Sequence, residues 1–201
     1  MNVSDNQPYP SRLPAVIEQL KDLIADPGKK LPKEKLIEWM QSPDIEVLGA
    51  VARVIMRGDL AARIFPEPSV AERQSLLLKY WERCILENPQ GCEFASDRYI
   101  AGADVVNWFG SLWRDSRVPR KLFVEMKNWL ADLYARGSGE VRTCIIQASL
   151  EHLFEQKEIR HFFGDWEEDP VLKRAFEEAS GWSKAGGRSP LAKPRFQKRL
   201  E

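Results

Sequence analysis

The chain of 201 residues, 43% hydrophobic and 30% charged, is long enough to bury a core and too apolar to be read as disordered. No apolar run approaches the roughly 18 residues that a bilayer span needs. The N-terminus, MNVSDNQPYPSRLP, lacks the basic-then-apolar pattern of a secretory signal, so a cytoplasmic location with no membrane contact is expected.

The net charge of zero is unevenly spread. From Gly181 onward six cations face one acid, Glu201, a balance of +5 that leaves −5 on residues 1–180. An acidic body points to a basic protein partner rather than to nucleic acid, which could be met only through the tail. Three cysteines, Cys84, Cys92 and Cys144, are an odd number without the spacing of a disulfide framework, and reduced thiols are expected.

Helical spacing of apolar residues runs through nearly the whole chain. Leu13, Val16, Ile17, Leu20, Leu23 and Ile24 form one amphipathic stripe, which Pro27-Gly28 stops. A short helix is predicted around Lys33–Gln41. Ser42-Pro43-Asp44 then opens another, with Ser42 as N-cap, Pro43 at the first helical position and Gly58 as the residue after its end. Pro66-Glu67-Pro68 breaks the chain. Ser69 and Glu72 have the spacing of a capping box, and the helix they start runs to about Asn88, ended by Pro89-Gln90-Gly91.

A further helix is predicted from Ser96 or Asp97 to about Asp115, with Val105, Trp108, Phe109 and Leu112 on one face. Pro119 opens the next, which carries Leu122, Met126, Trp129, Leu130 and Leu133 and closes at Gly137. Gly139–Phe154 comes next as a helix, Glu158–Phe163 as a short turn, and Asp169-Pro170 caps a last helix ending at Gly181. No stretch alternates apolar and polar residues between hairpin turns. The expected fold is all-α, an irregular antiparallel α-α stack of about eight to nine helices. It forms one helical domain over residues 1–181, followed by a basic tail over 182–201.

Two helix–turn–helix units, residues 33–57 and 119–154, resemble HEAT repeats. In the second, Glu140-Val141-Arg142 opens a helix with Ile145 and Ala148 in register; in the first, Asp44 precedes Val47, Val51, Val54 and Ile55, and Leu48 stands where the repeat has Arg. The resemblance covers about a third of the chain, without a strict period, and implies a HEAT-like α-solenoid. Such proteins include bacterial immunity proteins, which plug a toxin's active site, and DNA glycosylases acting on alkylated bases.

GEVRTCIIQASLEHLF, residues 139–154, holds one cysteine and one of the two histidines. On a straight α-helix Cys144 and His152 are about 80° and about 12 Å apart, too far for a nucleophile and its base, which need about 3 Å. The spacing does not suit zinc either, for which two ligands on one helix normally sit at i, i+4. His152 falls in the apolar stripe with Val141, Ile145 and Ala148, the place of a hydrogen-bonded core histidine. His161 has no close ligand partner. No metal, cofactor or catalytic residue is therefore expected, although clustered carboxylates, Glu151 and the run Asp165-Trp166-Glu167-Glu168-Asp169, leave an enzyme using carboxylate chemistry as a further alternative.

Trp108 and Trp129 fall in apolar stripes and read as core. Trp113, beside Arg114 and Asp115, and Trp166, in the acidic run, are the better candidates for partial exposure, although a ring packed under a loop is the leading reading for each. Trp flanked by charge is the residue type that anchors protein interfaces. Trp113, Trp166, Glu167 and Glu168 are thus the predicted protein-binding residues. The leading function is a non-catalytic protein-binding module, such as an immunity-type inhibitor, with a glycosylase-like nucleic-acid-binding protein as the alternative.

Overall fold

The computed structural model describes residues 13–184. It is all-α, as the periodicity predicts, apart from two strands of two residues each among the described residues. By contacts the chain forms two compact units, one up to Ala101 and one from Gly102. The expected tail lies outside the described residues from residue 185 on.

The first unit is built around α3 (Ile45–Met56). Val47 through Ala52, Val54 and Ile55 are all buried, so this helix is apolar nearly all round and must be covered on every side. The cover comes from α1 (Leu13–Ala25), α2 (Lys33–Trp39), α4 (Gly58–Ala61) and α5 (Val70–Glu87). Asp44, not Ser42, caps α3. Its carboxylate accepts from the Glu46 N–H at 3.0 Å, while the Ser42 hydroxyl accepts from the Asp44 N–H one step earlier, at 3.1 Å. Gly58 does not end the helix in a left-handed turn either: Arg57 leaves it in extended backbone, and Gly58 opens α4. Between these helices β1 (Leu31–Pro32) pairs in parallel with β2 (Ile64–Phe65). Two residues are too few for alternation, so hydropathy carries no sign of the pair.

One face of α3 holds a loop in place. The Glu46 carboxylate accepts three successive backbone N–H bonds, from Glu93 at 2.9 Å, Phe94 at 2.6 Å and Ala95 at 2.9 Å. Arg53, two turns on, donates to the Glu93 carbonyl at 2.6 Å and lies 5.0 Å from the Phe94 ring centre. Between them Gly49 lets the backbone come close: a Cβ there would meet the Phe94 carbonyl oxygen at 2.5 Å.

The capping box of α5 forms as expected. The Ser69 hydroxyl accepts from the Glu72 N–H, and the Glu72 carboxylate accepts from the Ser69 N–H at 2.8 Å. Lys33 donates to the same carboxylate at 2.9 Å and, with Ser69, holds the Glu72 carboxyl at about 2. A carboxyl depressed in the folded state contributes stability above its unfolded value of about 4.3 and loses that contribution as pH falls toward about 2. Glu72→Gln should therefore lower Tm slightly at about pH 6 and leave it unchanged near about pH 2, in melts taken across that range. A difference that stays constant with pH would show that the charge has no part in it. The helix ends at Asn88, whose φ of 49° is left-handed, a conformation that Asn adopts more readily than most residues.

The division between the units falls inside α6 (Arg98–Trp113). In the second unit α7 (Arg120–Arg136) buries Leu122, Phe123, Met126, Leu130 and Leu133 and stops at Gly137. The next stretch is not one regular helix. It runs as α8 (Gly139–Cys144), a π-helical segment (Ile145–Leu150) and a last turn, α9 (Glu151–Leu153). Here α6 approaches closely: the Ser149 hydroxyl donates to the Gly102 carbonyl at 3.2 Å, and a Cβ on Gly102 would meet the Ala148 Cβ at 2.6 Å. A π turn takes in an extra residue, so the residues after it are rotated relative to a straight α-helix. His152 is the hydrogen-bonded, largely buried histidine that the stripe predicts, though not fully buried. Its side chain is 15% exposed, with Nδ1 3.2 Å from the Glu155 carboxylate and the ring edge-on to Trp182. The unit closes with α10 (Lys157–Phe162), a 3₁₀ turn (Gly164–Glu167) and α11 (Lys173–Lys184), which continues through Gly181. Asp169 fills its predicted capping role, accepting from the N–H groups of Val171 and Leu172.

Candidate protein-binding surface

The predicted site residues Trp113 and Trp166 belong to one connected aromatic cluster in the second unit. Trp113, at the end of α6, lies 5.4 Å from Phe162, which lies 5.6 Å from Phe163, which lies 5.0 Å from Trp166. Phe109 and Phe123 pack on Trp113 at 5.6 and 5.0 Å. The two tryptophans occupy opposite ends. Trp166, a candidate for partial exposure, is only 2% exposed, the ring packed under a turn. Residues three apart in a 3₁₀ turn eclipse one another, so the turn that starts after Phe163 directs Trp166 inward over the Phe163 ring. Trp113 is half-buried, as is Phe162, and together they form the edge of the cluster that reaches solvent.

Two cations from α7 lie against that edge. The Arg120 guanidinium is 5.5 Å from the centre of the Phe162 ring, and the Lys127 ammonium is 5.0 Å from it. They differ in role. The Lys127 side chain is 12% exposed and donates to the Phe162 carbonyl at 3.1 Å and to the Asp165 carboxylate, which ties α7 to the end of α10. Arg120 is exposed. One turn after it on the same helix, Val124 is 39% exposed.

Glu167 and Glu168 are exposed, as expected, but they do not adjoin a second surface tryptophan. Glu167 borders an open groove of about 310 Å³, across from Lys157, Arg160 and His161, with Phe176 also lining it. With Asp165 on Lys127 and Asp169 capping α11, much of the acidic run is matched by the chain's own groups. Phe162 and Arg120 are not among the residues that sequence reasoning singles out. The signal for Phe162 is an aromatic pair, Phe162-Phe163, in a six-residue helix too short to bury both rings on one face. For Arg120 it is a cation in the first turn of a helix, where the dipole disfavours it.

In the first unit Phe65 is 65% exposed, with the Lys30 ammonium 5.2 Å from its centre. Elsewhere in this unit a small groove of about 170 Å³ is lined by Lys33, Ile37, Pro68, Glu72 and Leu76. An isolated exposed apolar side chain of this kind is ordinary.

Cys144 is fully buried on α8 and Cys84 on α5, and none of the three cysteines is in a disulfide. Burial raises the Glu151 carboxyl; the neighbouring His152 works against that shift and Glu178 adds to it. Among the described residues no three His, Cys, Asp or Glu side chains are placed to hold a metal ion, and no helix is long and apolar enough to cross a membrane. No protein-family model, curated protein or solved structure matches the chain.

Proposed function

We propose that the protein is a non-catalytic protein-binding module that presents the Trp113–Phe162 edge to its partner. The observation that carries this reading is the pre-ordering of that edge. Both rings are half-buried in a packed aromatic cluster, so they offer apolar area to a partner with little rotamer freedom left to lose. Trp and Arg dominate the energetics of protein interfaces, and here Trp113 and Arg120 flank the same Phe162 ring. Trp166 holds the buried end of the same aromatic cluster. An inhibitor of immunity type, which occupies a partner's active site and asks no chemistry of its own, is the form of binding that suits such a surface.

Trp113→Ala tests it. Used side by side as bait with the wild-type protein in the source cell's extract, the variant should lose a stoichiometric partner that the wild type retains. With that partner purified, calorimetry should give an affinity loss of about 2 kcal/mol or more. Circular dichroism should show the helical content kept, because Phe109 and Phe123 still close the core below. A folded Trp113→Ala protein that binds the partner at wild-type affinity would place the interface elsewhere.

A further inference from the structure

Resting on that reading, we propose that the partner's segment received at the Trp113–Phe162 edge is acidic as well as apolar, with a carboxylate gripped by Arg120. The partner is thus chosen by local charge, opposite in sign to what the −5 of residues 1–180 suggests.

Three observations lead here. The Arg120 guanidinium lies over the Phe162 ring, 5.5 Å from its centre, and among the described residues no salt bridge holds it. A guanidinium resting against a ring keeps its N–H donors free, and its fork can donate two parallel hydrogen bonds to a carboxylate. Second, the segment from Trp113 to Lys121 holds Arg114, Arg117, Arg120 and Lys121 against a single acid, Asp115, which Arg117 already grips at 2.9 and 2.8 Å. Third, Arg120 and Lys121 stand in the first turn of α7, which has no acid there and no side-chain cap. Cations at that end oppose the helix dipole, so the fold alone does not favour them. An incoming carboxylate relieves that repulsion and pairs with both. The apolar part of the epitope is set by the neighbours: Trp113, the Phe162 ring and Val124 one turn along.

The experiment is selection of a random twelve-residue peptide display library on the full chain, with counter-selection on Arg120→Ala. The enriched sequences should carry Asp or Glu within a few positions of Phe, Leu or Trp. The consensus peptide, fluorescently labelled, is then titrated against the wild type, Arg120→Lys and Trp113→Ala, with labelled oligothymidylate as a second probe. Arg120→Lys keeps the charge and loses the fork, so it should weaken the peptide about tenfold, while oligothymidylate should bind more weakly than the peptide at physiological salt. The proposal is overturned if the consensus is basic or lacks acids, if Arg120→Lys binds as the wild type does, or if oligothymidylate binds more tightly than the peptide. Loss of peptide binding in Trp113→Ala with an unchanged affinity in Arg120→Lys would retain the site and discard the carboxylate. Binding at wild-type affinity by both variants would discard the site itself.

Discussion

Trp166→Ala should destabilise the protein by about 3–5 kcal/mol, the range for removing a large aromatic side chain from a core. The ring is 2% exposed and packs edge-on against Phe163, which contacts Phe109, Phe154 and Phe162 in turn. The gap therefore opens at the root of the cluster that carries Trp113 at its other end. Urea unfolding followed by circular dichroism should show the lower midpoint, and Trp166→Phe, which keeps an aromatic ring there, should recover more than half of the loss. The buried ring thus follows the packed alternative that the sequence left open for Trp166. If Trp166→Ala unfolded at the wild-type urea concentration, the ring would be contributing nothing to the core.

The second large effect is expected in the first unit. Glu46→Ala removes the acceptor for three successive N–H groups, of which those of Phe94 and Ala95 lie in part-buried bonds. A buried donor left unpaired costs about 1–3 kcal/mol, so a loss of about 3 kcal/mol overall is expected. Glu46→Gln retains one acceptor oxygen and should fall between the two. Hydrogen exchange gives the local reading: the amides of residues 93–95 should lose protection in Glu46→Ala while the centre of α5 keeps its own. Unchanged protection at 93–95 would show that the loop is held by Arg53 and the close approach at Gly49 without help from the carboxylate.

The sequence is most legible where local chemistry decides structure. The capping box at Ser69 and Glu72, the cap at Asp169 and the stop at Gly137 are set by residues within a turn of one another, and each is found where expected. Gly58 misleads because a glycine after an apolar stripe has two uses, to end a helix or to start one, and spacing does not choose between them. Nor does composition report that Glu46, a first-turn acid of the kind usually read as facing the dipole, reaches a loop 47 residues away. The site is half legible. Trp113 stands out because a tryptophan beside charge at a helix end is unusual. The same rule misplaces Trp166, since it ignores that a 3₁₀ turn sets the ring over Phe163. Arg120 escapes notice because its role depends on Phe162, which the chain reaches two helices later.

The π-helical segment at Ile145–Leu150 bears on how this chain tolerates change in length. One continuous rod meets α7 with its first part and α11 with its later part, and the π-helical segment lies between the two. The widened turn adds a residue within six, so the part after it faces a different direction than a straight α-helix would give. The segment therefore works as an angular offset between two otherwise independent alignments. Removing one residue from it would restore an ordinary helix at the expense of turning Glu151, His152 and Leu153 by about 100° away from the neighbours they now meet.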